Sequence, residues 1–415
     1  MLAALRSRDF RLLWISQSVS VIGDALVVVA IGLFVTRLTH RPSDVGLVLA
    51  AYALPMVMFL LIGGVVADRL PRQRVMLTSD LVRAALHGLL AVLIATGTVQ
   101  IWHMVVIGLF YGTAEAFFRP AYTGLVPQTV PERDIQPAQA LGGLSSEVAE
   151  MASPALATLL VLGVGGSVAF GIDAATFLLS AALLSRIRPR DRGATGESGT
   201  LVQELAQGWS ALKERPWALW TIVGFSVAVF TALAPFYVVG ATVARQEYGS
   251  EAVFGWANAA FGVGTVSGAL LAARWRPYRP MRTGLMAASP WAVAIAVYGT
   301  GLSVILAYAA MVVGGLGLGC FIVWWETALA TRVPAHLLSR VSAWDWMGSL
   351  ALLPLGYVIS GSVARLLGSR PMLVGGGIVG AVAIASALIS RSAWRLARLD
   401  VPEPEAVTAA AAAVG

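Results

Sequence analysis

SVIGDALVVVAIGLFV, residues 20–35, decides what kind of protein this is. Fifteen of its sixteen residues are uncharged, and the remaining one is Asp24. An α-helix needs about 20 predominantly apolar residues to cross the hydrocarbon core of a bilayer. A charge inside such a run costs about 2.5–3.5 kcal/mol even on the insertion scales that penalise it least. Two questions follow: whether the rest of the chain is built this way, and what Asp24 is for.

Composition answers the first. Of 415 residues, 58% are hydrophobic and only 12% are charged, against about a quarter charged in an ordinary soluble domain. Apolar runs between charged or Pro/Gly-rich breaks give twelve candidate spans. Their cores lie near 10–36, 44–66, 75–97, 101–123, 138–162 and 166–186, then 217–241, 252–273, 283–301, 303–329, 341–363 and 371–390. The expected fold class is an all-α membrane protein. The net charge of +7 does not point to nucleic acid, because the basic residues sit between apolar runs rather than on one soluble face. With the N-terminus inside, 22 of them fall on the cytoplasmic side and five outside, while Arg83 and Arg119 lie within spans. That excess sets both termini in the cytoplasm. The start, MLAALRSRDFRLLW, reads as a basic lead-in to the first span rather than a cleavable signal peptide.

Several chemistries are excluded at this level. Lys213, in ALKERP, is the only lysine, so the chain carries no G-x-x-x-x-G-K-[ST] phosphate loop. The near-exclusive use of arginine reads as the codon bias of a GC-rich bacterial genome, and the expected location is a bacterial cytoplasmic (inner) membrane. Cys320 is the only cysteine, which rules out an intrachain disulfide and a cysteine-based metal site. His40, His87, His103 and His336 are scattered without ligand spacing and read as ordinary surface or interface residues. No H-E-x-x-H or G-x-S-x-G motif is present. Neither an enzyme nor a bound cofactor or metal is expected.

The chain reads as two halves. Residues 1–187 form an N-terminal six-helix bundle and 217–391 a C-terminal one, with a cytoplasmic linker at 188–216 and a disordered tail at 392–415. In the linker, RPRDRGATGESG is polar and glycine-rich. Leu201, Leu205, Trp209 and Leu212 then share one face of a short helix expected on the membrane surface. The halves echo each other: Val130-Pro131 follows the fourth span and Val333-Pro334 the tenth, while Pro154 and Pro354 fall inside the fifth and eleventh. Duplicated units with a site between them are a transporter architecture.

Between the second and third spans lies GGVVADRLPRQRV. It resembles the major facilitator superfamily signature G-x-x-x-D-R-x-G-R-R through Gly64, Asp68, Arg69 and Arg72, with Pro71 in place of the glycine and Gln73 in place of one basic residue. The resemblance implies a cytoplasmic latch in which Gly64 permits close helix approach and Asp68 docks at the start of the eleventh span, where Asp345 lies. The second-half counterpart, GALLAARWRPYRPMR, keeps Gly268 but has Ala272 at the aspartate position, so one strong latch is expected. RDFRLLWISQSVSVIGDALVVVA, AFFRPAYTGLVPQTV and GWSALKERPW resemble the drug:proton antiporter branch that includes macrolide-efflux and enterobactin-exporter proteins. That likeness covers nearly the whole chain. The branch's fifth-span motif G-P-x-x-G-G appears as Ser153-Pro154-Ala155-Leu156-Ala157-Thr158, keeping the proline and small residues without the glycines. The arginine of its fourth-span R-x-x-Q-G motif is missing, with apolar residues before Gly112.

Asp24 has a function in that setting. Taking a carboxylate out of water disfavours its charged form, so it can load a proton in one conformation and release it in the other. Each inward proton contributes about 2.3 kcal/mol per 100 mV of membrane potential. Asp24 is the leading proton-coupling candidate. Glu115 is second, with Arg119 four residues on along the same face tuning it. The competing reading of Asp24 is a hydrogen-bonded carboxylate that fixes helix packing, and Glu115–Arg119 reads equally well as a structural ion pair. Asp80 and Arg83 read as a structural pair, and Glu147, Glu150 and Asp173 as reserve candidates. Tyr111, Phe117, Phe118, Phe236, Tyr237, Trp324 and Trp325, with Glu326, are candidates to line a substrate cavity suited to amphipathic or cationic organic molecules, although helix packing and interfacial belts account for many such aromatics. The expected function is proton-coupled export of a bulky amphipathic compound by a monomer, with multidrug efflux and antibiotic resistance as its context. The alternatives are a dedicated siderophore exporter and, more remotely, a non-transporting receptor or scaffold.

Overall fold

Backbone in hydrocarbon has no water to bond, so a spanning segment must satisfy its own N–H and C=O groups. The described residues do this with helices. The computed structural model describes residues 2–131, 134–189, 201–275 and 277–396, and some side chains inside helices lie outside the described ones. Among the described residues there is no strand. The first half runs α1 (Arg8–Thr39), α2 (Pro42–Arg69), α3 (Arg72–Ala95), α4 (Ile101–Thr129), α5 (Ile135–Leu159) and α6 (Gly166–Leu184). After α7 (Leu201–Lys213) come α8 (Pro216–Ala228), α9 (Ala234–Tyr248), α10 (Ala252–Arg274), α11 (Pro280–Gly299) and α12 (Val304–Arg332). The chain continues through α13 (Ala335–Leu350), α14 (Leu353–Leu367), α15 (Ser369–Ser386) and a last turn, α16 (Arg391–Arg395).

Ten described segments are long and apolar enough to cross a membrane. α8 and α9 make one of them, Pro216–Tyr248, and α13 and α14 contribute to another, Arg340–Leu367. α5 and α11 take the fifth and ninth places in the bundle and complete twelve spans. Span five ends in a π-helical turn, Leu160–Val164, and at two further joints that depart from regular helix a proline is responsible. Pro235 has no N–H and its ring crowds the carbonyl four residues back; the turn before it, Val229–Leu233, widens to π-helix. Pro354 sits at the start of α14, so the core expected at 341–363 is two helices rather than one.

The packing order repeats between halves. α2 lies along α4 as α10 lies along α12, and α3 packs on α6 as α11 packs on α15. The halves meet through α2 against α14 and α5 against α10, two contacts that exchange under the same six-span shift. The α10–α12 seam is made by glycines: a Cβ on Gly264 or Gly268 would sit 2.1 or 2.0 Å from a carbonyl oxygen of α12, and one on Gly315 or Gly319 equally close to α10. Large apolar side chains such as Met58, Val92, Phe110, Leu270, Val313 and Val382 are turned outward and exposed, as a lipid-facing surface requires. The polar linker leads into α7, whose Leu212 is buried and whose Trp209 ring lies 5.0 Å from Trp344 of α13. Leu201 and Leu205 have side chains outside the described ones, as do residues 397–415 of the tail.

The described contacts across the two halves gather at one end of the molecule. Ser43 and Gly46 of α2 meet Gly361 and the Tyr357 carbonyl of α14, and Thr158 of α5 meets Gly255 of α10. Arg37 of α1 donates to Glu251, just ahead of α10, at 2.6 Å. Arg245 of α9 lies 3.7 Å from the same carboxylate and donates to His40 Nδ1 at 2.6 Å. His40 ends α1 in a left-handed conformation, with φ 57.

Candidate functional site

The site is built from three helix faces. Asp80, Arg83 and His87 recur at the helical period on α3, and Asp173, Phe177 and Ser180 do so on α6, so each trio points one way. Asp24 of α1 closes the third side. Arg83 is 1% exposed and Asp24 25%. The guanidinium holds both Asp24 oxygens at 3.2 Å through Nη1 and the buried Asp80 at 2.6 Å through Nη2. Ser180 donates to the other Asp80 oxygen at 2.6 Å. Phe118 and Phe177 place their rings 4.3 and 4.2 Å from the guanidinium carbon, which fixes its plane and excludes water.

Tyr111 of α4 donates its hydroxyl to Asp24 in a short hydrogen bond. Its ring stacks on His87 at 4.3 Å. His87 Nδ1 bonds Asp173, and His87 Nε2 bonds the Tyr52 hydroxyl at 3.1 Å. Asp173 leans so close to α1 that a Cβ on Gly23 would overlap its carboxylate, and its second oxygen has no partner. One network therefore joins α1, α2, α3, α4 and α6 around Asp24. Three carboxylates share one arginine and one histidine.

The expected pair Glu115–Arg119 also forms, at 2.8 Å, but it is more open, with Arg119 53% exposed. Among the other sequence candidates, Tyr111 and Phe118 belong to the network and Phe117 is half-buried beside it. Phe236 packs on Phe254 and Tyr298, with Tyr237 next to it. Trp324 is buried against Trp275. Trp325 donates to Asp345 at 2.9 Å, and Glu326 is exposed. Ser153, at the start of the Ser153–Pro154–Ala157 stretch, donates to the Ile22 carbonyl at 3.2 Å, two residues before Asp24. In the signature loop, Arg72 donates to the Gly124 carbonyl at 2.7 Å within its own half, and Arg69 is exposed. The side chains of Gly64, Asp68, Glu147 and Glu150 lie outside the described ones; the described close approach in that stretch is Gly63 against Ala116 of α4.

Sequence reasoning missed three things. Arg83 is the partner of Asp24 as well as of Asp80. His87, read as an ordinary surface or interface residue, is fully buried and bonded to Asp173. Tyr52 joins the same cluster. The signal was present: polar residues at 80, 83 and 87 on one helical face, opposite 173 and 180 on another. Among the described residues no group of three His, Cys, Asp or Glu side chains is arranged to hold a metal.

The model of the transmembrane secretion effector family, within the major facilitator superfamily, matches residues 1–412. The chain belongs to that family. The chain is similar to the multidrug efflux pump Tap of Mycolicibacterium fortuitum, 27% identical over 87% of this chain and 91% of that protein. Macrolide efflux protein A of Streptococcus pyogenes is 23% identical over 49% of this chain and 51% of its own length. The chain thus spans about half the length of several curated relatives it matches, while the match to Tap is nearly complete. Among solved structures, an inward-facing bacterial homologue of the lysosomal transporter Spinster aligns over 95% of this chain and 99% of its own, with a TM-score of 0.71 at 14% identity. The nucleoside transporter NupG aligns over 93% and 99% with a TM-score of 0.68 at 15% identity. These likenesses show the major facilitator fold. The family is one of multi-pass membrane transporters, not enzymes.

Proposed function

We propose that this family member is a proton-coupled exporter of bulky amphipathic organic compounds, working by alternating access, with Asp24 as its proton-loading residue. The observation that carries the reading is the sharing of one buried arginine between Asp24 on α1 and Asp80 on α3. Two carboxylates on one cation reach neutrality with one proton. Of the two carboxylates on Arg83, Asp24 is the more accessible, at 25% exposure against none for Asp80. Protonating it loosens α1 from Arg83, which stays paired to Asp80, so proton binding is converted into freedom of one helix against another. Glu115 with Arg119 is the second candidate.

The substrate side of the reading rests on the other half. The half-buried Phe225 stacks on the buried Phe321 at 4.6 Å, with the buried Trp325 and Trp291 beside them; in this reading the cluster backs the wall that receives flat or cationic apolar molecules. The relatives named for macrolide and multidrug efflux agree with that substrate class. In this proposal the halves are 1–187 and 217–391, the linker is 188–216, and both termini face the cytoplasm of a bacterial inner membrane. The end where the halves touch is then the outer one, and the structure is the inward-facing state.

Ethidium efflux from an efflux-deficient bacterial host tests the reading. Wild type should export the dye, a protonophore should stop it, and Asp24→Asn should be well expressed and inactive. Export by Asp24→Asn at the wild-type rate would remove Asp24 from the mechanism and bring Glu115 forward. Absence of wild-type export would favour a narrow substrate over a broad drug range.

A further inference from the structure

At the arginine-rich end of the second half, away from the network, the residue ahead of α11, the turn after α15 and α16 surround a cavity of about 450 Å³. Arg279, Arg391 and Arg395 line it together with Leu388, Ile389 and Trp394. Arg282 stacks over Trp394, its guanidinium carbon 4.1 Å from the ring centre. Among the described residues no carboxylate lines this cavity or pairs with its three arginines. Three like charges around one hollow repel each other, and the arrangement becomes favourable when an anion joins them.

The walls specify which anion. Ile389 is 83% exposed and lies beside the arginines at the end of a spanning helix. Trp394, 37% exposed, is the residue type that marks the headgroup level of a membrane. A free phosphate has no use for an apolar wall that opens toward lipid. A phospholipid does: its phosphate meets the guanidinium groups, which bind phosphate oxygens through paired N–H donors, while its glycerol and first methylenes lie on Leu388 and Ile389. Basic pockets between membrane helices bind anionic headgroups on the same principle.

We propose that this cavity seats the phosphate-bearing headgroup of an anionic phospholipid, tying α16 and the turn after α15 to the start of α11. The site does not depend on the transport mechanism or on Asp24. Because Arg279 caps the start of α11 and Arg391 and Arg395 lie on α16, all cationic, the lipid acts as the counter-ion that holds α16 in place.

The test is thermal melting of the purified full chain in neutral-detergent micelles. The probes are dioleoyl phosphatidylglycerol, dioleoyl phosphatidylcholine and inorganic phosphate, each titrated separately. Phosphatidylglycerol should raise the melting temperature saturably, and phosphatidylcholine should not. Each arginine near an anionic headgroup accounts for about fivefold in affinity, so Arg391→Gln with Arg395→Gln should weaken the response about 25-fold. Arg6→Gln with Arg8→Gln, which removes two exposed arginines from the other half, should leave it unchanged. An equal shift from inorganic phosphate would keep the anion site and assign it to a soluble phosphate instead. Equal responses to the two lipids in wild type overturn the proposal without any variant. So does an unchanged phosphatidylglycerol response in Arg391→Gln/Arg395→Gln.

Discussion

At the scale of single residues, Arg83 is a fully buried cation whose two partners come from different helices. Removing one member of a buried, hydrogen-bonded charge cluster leaves the others uncompensated, at a cost of about 3–5 kcal/mol. Arg83→Ala should therefore lower the melting temperature of the purified protein far more than Arg119→Ala, whose side chain is half-exposed. A comparable loss from both would mean that the network is no more structural than a surface pair. Tyr111→Phe is the milder probe. It deletes the hydroxyl that Asp24 accepts from and keeps the ring that stacks on His87. One hydrogen bond is worth about 1 kcal/mol net, so this variant should fold and show altered efflux. The sequence made Asp24 conspicuous because one charge stands alone in an apolar run. It concealed the bonds of Arg83 to Asp24 and of His87 to Asp173, because partners on separate helices have no fixed spacing in the chain. Only the shared helical face of 80, 83 and 87 hinted at them.

At the scale of elements, the spans were legible because hydrocarbon thickness sets a length and apolar composition marks it. The joints were harder to read. Pro354 was visible in the sequence, but whether a proline kinks a helix or ends it depends on what the freed backbone groups find around them. The α10–α12 seam was legible only in outline: Gly268 stood out as a signature remnant, whereas its structural role is to let α10 reach the backbone of α12. A methyl group at Gly319 would lie 2.0 Å from the Thr265 carbonyl oxygen. Gly319→Ala should force the two helices apart and cost about 1–3 kcal/mol, read as a lower melting temperature. Gly375→Ala, where a Cβ meets nothing within 4 Å, should have little effect. Equal behaviour of the two variants would remove the seam from the stability of the second half.

At the scale of the whole molecule, the halves are joined at one end by Arg37, Arg245 and Glu251, with His40 alongside. Glu251 is the only carboxylate in that described cluster and is 8% exposed. Glu251→Gln should loosen this end by about 1 kcal/mol, or roughly fivefold in the opening equilibrium. With Cys320→Ser as background and Val238→Cys as reporter, a buried position of α9 packed beside Gly46 of α2, a membrane-impermeant thiol reagent added outside should react correspondingly faster; an unchanged rate would contradict the assignment of this cluster as the outer closure. Positive-inside asymmetry and the six-plus-six echo made the overall architecture readable, but which end is closed depends on side chains from both halves meeting in space. The central claim, that Asp24 couples protons to transport, is tested most directly in proteoliposomes. Purified wild type should accumulate ethidium when the lumen is acid and should also exchange ethidium for ethidium without a gradient. Asp24→Asn should keep the exchange and lose the accumulation. Accumulation by Asp24→Asn at the wild-type level would contradict the account.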